Sequence, residues 1–416
     1  MIIVFNLFIS LIGIIIILYF LEKDLSLFLM STMIFVQYIW MFFSIVVIES
    51  GIYVVEQGRN GFFVGSSMIL LLFLVSTIFS LIFFKRIFKN TFSSIKPTKF
   101  SFFKIKKEKL ILFFLILIYF LAYLNLLLSP IPFFSKTVTK FNFWDTAMFP
   151  SFKSIVGNVM AFAIFGTAIL YKYYKKISIF FFFLYVVYLV LMGQKFTGFF
   201  IGIVAVLIGF YFTSEKTIKF KIKWIFNKYL ITFFLLSFLL VWYKYSLNNN
   251  FRNLNLTPLE GIFYRTFGLQ AHVFWGTTEQ YVFSDKPNSW NITELWKGMH
   301  HLMLEFWPWS YRDYISVTSR GVSWTNAYPS ILLRIFPLPL ALFSNFILLS
   351  FLALIQELLS LFIKGKALIL SIIVFQLLIW TSYTYTMAYF SKLLIPVIFV
   401  TFYFLYKYYL LKSKEN

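Results

Sequence analysis

Ser67–Phe84 (SMILLLFLVSTIFSLIFF) runs into Lys85–Lys109 (KRIFKNTFSSIKPTKFSFFKIKKEK) and then into Leu110–Leu128 (LILFFLILIYFLAYLNLLL). Two uncharged apolar runs, each near the ~20 residues that a helix needs to cross a hydrocarbon layer, flank a connection with nine basic residues. A short connection that rich in Lys and Arg marks the side of the membrane on which positive charge is retained.

The rest of the chain repeats the pattern. Further apolar runs cover 1–21, 25–48, 154–171, 177–192, 199–213, 229–243, 344–363, 367–381 and 393–409, which predicts about eleven spanning helices. With 85–109 placed inside, alternation puts the Lys-rich connections 172–176 and 214–228 inside, together with Lys23, Lys364, Lys366 and the C-terminal tail. These account for 23 of the 37 basic residues. The first run lacks a basic leader and a small-residue cleavage site, so it reads as a retained helix. The predicted fold is an all-α polytopic membrane protein in three parts: 1–243 with eight spans, a long outer loop over 244–343, and 344–416 with three spans. The tail is cytoplasmic.

Composition agrees. Hydrophobic residues make up 61% of the 416 and charged residues only 12%, whereas soluble domains run near 45–50% and 25%. The net charge of +22 is accounted for by orientation, and nucleic acid is excluded as a partner. There is no Cys, hence no thiol metal site, and no His cluster has metal spacing. A Walker-type loop and a serine nucleophile elbow are also missing. Acids inside the predicted spans, which ion-coupled transporters use, reduce to Glu357.

The long outer loop holds six of the eleven Trp and all three His. The stretches 259–275 and 295–307 have helical apolar spacing and are expected along the membrane surface. Pro337 and Pro339 argue against a straight span over 331–343, which is expected to be re-entrant or interfacial. Basic residues on the outer side run against the charge rule and so call for an anionic ligand; Arg grips phosphate or diphosphate with a planar fork. The candidates are Lys195, in the tight turn Gly193-Gln194-Lys195, with Arg59, Arg265, Arg312 and Arg320. Arg312 beside Asp313 also suits a local ion pair, and Arg265 a pair with Glu260. His300, His301 and Glu56 are candidates for acid/base work. Trp324 and Asn326 lie in the polar-aromatic stretch after Arg320 and suit sugar contacts.

Three features together carry a resemblance. They are the Gly193-Gln194-Lys195 turn, the Arg265–Gly276 spacing and the Thr325-Asn326 pair before the returning helix. With the topology, they make the chain similar to bacterial O-antigen polymerases of the Wzy type, in the wider group shared with O-antigen ligases. Lys195 stands where the group often has Arg, and Thr325 where a ligase-like His would stand. The resemblance implies a metal-independent glycosyltransferase of the inner membrane, without cofactor. Its substrates would be undecaprenyl-diphosphate-linked oligosaccharides, and a flippase and a chain-length regulator would work beside it. Arg265, Arg320 and Lys195 would bind the diphosphate. A lipid-linked oligosaccharide flippase and an O-antigen ligase are the alternative readings.

The absence of Cys makes the topology directly testable. A single cysteine at Ser94 is expected to resist a membrane-impermeant maleimide in intact cells, and one at Asn291 to react; labelling of both, or the reverse pattern, refutes the orientation.

Overall fold

A computed structural model describes residues 2–24, 31–51, 64–92, 107–193 (apart from 136, 139, 141 and 172), 257–319 (apart from 264–266, 269, 285, 308 and 309), 326–364, and scattered positions in 202–246 and 373–405. Among the described residues the regular structure is helical throughout. The long helices are α1 (Ile2–Lys23), α2 (Thr32–Glu49), α3 (Ser66–Phe92), α4 (Lys107–Leu127), α5 (Phe152–Leu170) and α6 (Lys175–Leu191). Shorter ones follow: α7 (His272–Thr278), α8 (Gly298–Glu305), α9 (Tyr311–Ser319), α10 (Ser330–Ile335), α11 (Leu338–Leu348) and α12 (Ser350–Lys364). Among the described residues, five helical stretches are long and apolar enough to cross a membrane: Ile3–Lys23, Thr32–Glu49, Ser66–Phe92, Glu108–Leu127 and Leu338–Leu358. The predicted spans 199–213, 229–243, 367–381 and 393–409 lie largely outside the described residues.

The packing is inverted relative to a soluble core. On α3, Ser66, Ser67, Thr77 and Ser80 are fully buried, while Val75 and Phe79 are 49% and 60% exposed. On α1, Asn6 and Ser10 face inward, while Val4, Phe8, Ile15 and Tyr19 face out. Water would not tolerate so much exposed hydrocarbon, but lipid does. Without a hydrophobic force between helices, small residues that allow close approach and polar groups that bond across the contact hold the bundle together.

Helices α1, α2 and α3 pack on one another, and α11 and α12 lie along α3. Helices α4, α5 and α6 form a second group. Each end of the first group is fixed by a polar bond. Asp24 after α1 pairs with Lys85 of α3 at 2.5 Å. At the other end Glu49, the last residue of α2, is 2% exposed. Its carboxylate accepts from Asn6 Nδ2 at 2.7 Å, from Gly65 N at 3.0 Å, from Ser66 N at 3.1 Å and from the Ser66 hydroxyl. The first backbone N–H groups of α3, which have no partner within the helix, are thereby capped by the preceding helix.

Two segments of the long loop enter this bundle. Helix α7 is buried along its whole length, with Trp275 at 0% exposure. It is fixed to α2 through Ser44, whose hydroxyl accepts from Ala271 N at 2.9 Å and donates to Gly268 O at 3.3 Å. The expectation that 259–275 lies along the surface is therefore corrected at its C-terminal part.

The second entry is at Asn326–Pro329. Gln37 Nε2 donates to the Tyr328 carbonyl, and the Tyr328 hydroxyl bonds Asn345 Oδ1. Asn345 Nδ2 in turn reaches Ser76 Oγ at 2.9 Å and Thr77 Oγ1 at 3.3 Å. Thr77 lies about 16 Å along α3 at 1.5 Å per residue, so Tyr328 sits at the middle of that helix. The described chain at 326–335 is packed into the bundle, and the segment 331–343 divides between it and the start of α11. Pro337 is the N-cap of α11 and Pro339 lies in its first turn, where a missing N–H costs nothing, so the span starts at Leu338, ahead of the expected 344.

Replacing Glu49 by Ala leaves four donors without their acceptor in the bundle. The expected loss is on the order of 3 kcal/mol, read as a drop of several degrees in the thermal melt of the detergent-solubilised protein; an unchanged melt contradicts the assigned cap.

Candidate functional site on the long loop

The described residues 281–334 are organised by one arginine. Arg334 sits in the otherwise apolar run Ser330–Ile335, where a lone charge requires partners. Its Nε donates to Glu294 Oε2 at 2.6 Å, its Nη2 approaches Glu294 Oε1 at 3.5 Å, and its Nη1 pairs with Glu305 Oε2. Glu305 Oε1 also accepts from Tyr281 OH at 2.9 Å and from Lys286 Nζ. Two acids and two bases cancel, and four pieces of chain that are distant in sequence become one body. The backbone adds to this: Ser289 N and Trp290 N bond the terminal carbonyls of α10, at Arg334 O (2.9 Å) and Ile335 O (3.1 Å). Trp290 is held there at φ 52°, in the left-handed region.

On this body α8 carries His300 and His301, and α9 meets His300 through Tyr314 and carries Arg312 on its exposed side. Helix α9 starts at a reciprocal cap: Asp313 N donates to Ser310 Oγ at 3.2 Å, and that hydroxyl donates to Asp313 Oδ2 at 2.5 Å. The Asp313 carboxylate is thus bonded to Ser310, and no ion pair joins it to Arg312 among the described residues. Arg312 is exposed, next to Tyr311, which stacks on Tyr314 (6.0 Å between centroids, 20°). Tyr314 OH lies 3.2 Å from His300 Nδ1, and the His300 ring lies 5.5 Å from that of Tyr389. Partial burial, then the positive charge of Lys297 and of His301, lower the His300 pKa from 6.5. A half-buried imidazole whose pKa is lowered can accept a proton from a sugar-bearing ligand, and the exposed Arg312 on α9 can engage an anion.

The other sequence candidates divide clearly. Glu56, Arg59, Lys195, Arg265, Arg320 and Trp324 lie outside the described residues. Asn326 is buried at φ 67°. Its Nδ2 bonds Gln270 O at 2.7 Å and Gln270 Oε1 at 3.1 Å, so its amide ties the two entering segments together. Glu260 caps the short helix Pro258–Phe263: its Oε2 accepts from Thr257 N at 2.8 Å and Thr257 Oγ1 at 2.7 Å, which keeps its pKa below the usual carboxylate value. No group of three or more metal-ligating side chains occurs among the described residues.

Residues 293–403 match a family of unknown function, DUF6418. The matched stretch starts one residue before Glu294 and takes in His300, Glu305, Arg312, Tyr314 and Arg334, so the surface just described lies within it. No curated protein and no solved structure matches the chain. Sequence reading missed Arg334 and Tyr314. Arg334 carried a signal, as a charge in an apolar hexamer ahead of a span, whereas nothing in the sequence places Tyr314 on His300.

Arg334→Met strands the buried Glu294 carboxylate and leaves Glu305 with Lys286 and Tyr281 alone. The expected cost is about 3–5 kcal/mol, seen as protease cleavage within 279–305 that the wild-type protein resists; wild-type resistance in the variant argues against the assigned role.

Proposed function

We propose that the chain is a lipid-linked oligosaccharide polymerase of the O-antigen (Wzy) type in a bacterial inner membrane. In this reading it has eleven spans, the long loop is periplasmic and the C-terminus is cytoplasmic. The observation that carries it is the surface of His300, Tyr314 and Arg312 on the long loop. There a basic group, an imidazole and sugar-stacking rings stand at the edge of a helical bundle suited to lipid. The reaction moves a growing chain from its undecaprenyl diphosphate to a hydroxyl of the non-reducing sugar of the next repeat unit. Arg265, Arg320 and Lys195 neutralise the diphosphate as it departs, and the loop body holds donor and acceptor in register. Arg334 is not among the diphosphate ligands, because Glu294 and Glu305 already occupy it.

The reading is tested by the surface polysaccharide ladder of a strain lacking the gene. Long chains are expected to vanish, with a single repeat unit still on the lipid core. Arg265→Ala is expected to give the same ladder at normal protein level. Loss of every repeat unit points to a flippase or ligase, and an unchanged ladder refutes the proposal.

A further inference from the structure

The contact between α8 and α9 bears on which atom of His300 does the chemistry. The Tyr314 hydroxyl lies 3.2 Å from His300 Nδ1 and 3.2 Å from the carbonyl oxygen of the same residue. A hydroxyl has one hydrogen. If it is given to Nδ1, two oxygen lone-pair surfaces face each other at 3.2 Å with no hydrogen between them. If it is given to the carbonyl, both contacts are satisfied together, because Nδ1–H then donates to the phenol oxygen. The phenol is not free to choose another position. Tyr314 is 9% exposed, and its ring is held between Trp307 (5.8 Å, 75°) and Tyr311 (6.0 Å, 20°). The groups around the imidazole among the described residues are Lys297 and His301 from its own stretch, Tyr314 from α9, and Tyr389. None of these is a carboxylate.

We infer that Tyr314 is a positioning residue that holds His300 protonated on Nδ1, leaving Nε2 as the acceptor for the proton of the incoming sugar hydroxyl. The inference rests on the polymerase reading. In the step, the hydroxyl oxygen bonds to the anomeric carbon of the donor chain. The bond from that carbon to the diphosphate oxygen breaks, and its electron pair stays with the diphosphate. The hydroxyl proton passes to Nε2 and from there to solvent. Arg312, two residues from Tyr314 and on the exposed side of α9, is not needed for the proton transfer.

The test uses membrane vesicles that contain the full-length protein, with lipid-linked repeat units extracted from a strain lacking the gene. Tyr314→Phe keeps the ring and its stacking but removes the hydroxyl; kcat is expected to fall on the order of 10-fold or more with KM nearly unchanged. His300→Gly is expected to lose about 100-fold or more and to recover in part when free imidazole is added, a response that a purely structural histidine does not give. Wild-type kcat in Tyr314→Phe overturns the inference alone, as does His300→Gly that is fully active or not rescued. Wild-type vesicles that extend no chain overturn the polymerase reading and this inference with it.

Discussion

Inside hydrocarbon a backbone N–H or C=O finds no water, and each unsatisfied group costs several kcal/mol. The rest of this architecture depends on how that demand is met at Asn326–Pro329, where the chain is non-helical at the middle of the bundle. Gln37 supplies a donor to Tyr328 O, Thr386 O accepts from Ala327 N at 2.9 Å, and Gln270 engages the Asn326 side chain. Each partner comes from a different part of the chain. The irregular turn is therefore affordable only after α2, the segment before α7 and the segment at 385–390 have assembled around it. Gly298 shows how closely that last segment packs: its N donates to Ala388 O at 2.8 Å, and a Cβ there would meet Ala388 at under 3 Å.

This demand also explains why the loop carries an ion cluster over its entry point. Helix α10 has only six residues, too short to be stable alone, and its last carbonyls need donors from outside. The backbone of Ser289 and Trp290 supplies them. Arg334 then ties the same short helix to Glu294 and Glu305. A buried ion pair is weak evidence for stability in general; here its effect is to join α10, α8 and the turn at 292–297 in one register. That register is what brings α8 to α9, and so His300 to Tyr314.

The fold was legible where one physical rule acted alone. Apolar runs of the right length gave α1 to α6, since in lipid the sequence need only be long and uncharged. It was less legible where the context reversed a rule. Pro337 and Pro339 read as breakers, yet a helix start tolerates proline, so the span begins at Leu338. Arg312 beside Asp313 reads as an ion pair, yet Ser310 three residues before Asp313 forms a cap that takes the carboxylate. Glu49 reads as a loop acid, yet it closes the end of α3. In the site, His300, His301 and Arg312 were visible as residue types in an outer loop. Tyr314 was not, because its role comes from a contact across 14 residues that no local pattern encodes, and for Arg334 the apolar run signalled a need for partners but not which acids, up to 40 residues away, supply them.

The two basic roles in the loop separate by chemistry. Arg334 has a planar fork whose donors are satisfied by carboxylates, in a short apolar helix where an unpaired charge could not remain. Arg312 is on a surface helix whose nearest acid is occupied by a serine, so its guanidinium keeps its donors for an external anion. A sequence rich in outer-side arginines thus does not by itself count ligand contacts. Whether a given arginine is open to ligand depends on whether the fold has already supplied its acid, and the Ser310–Asp313 cap is what leaves Arg312 open on the exposed side of α9.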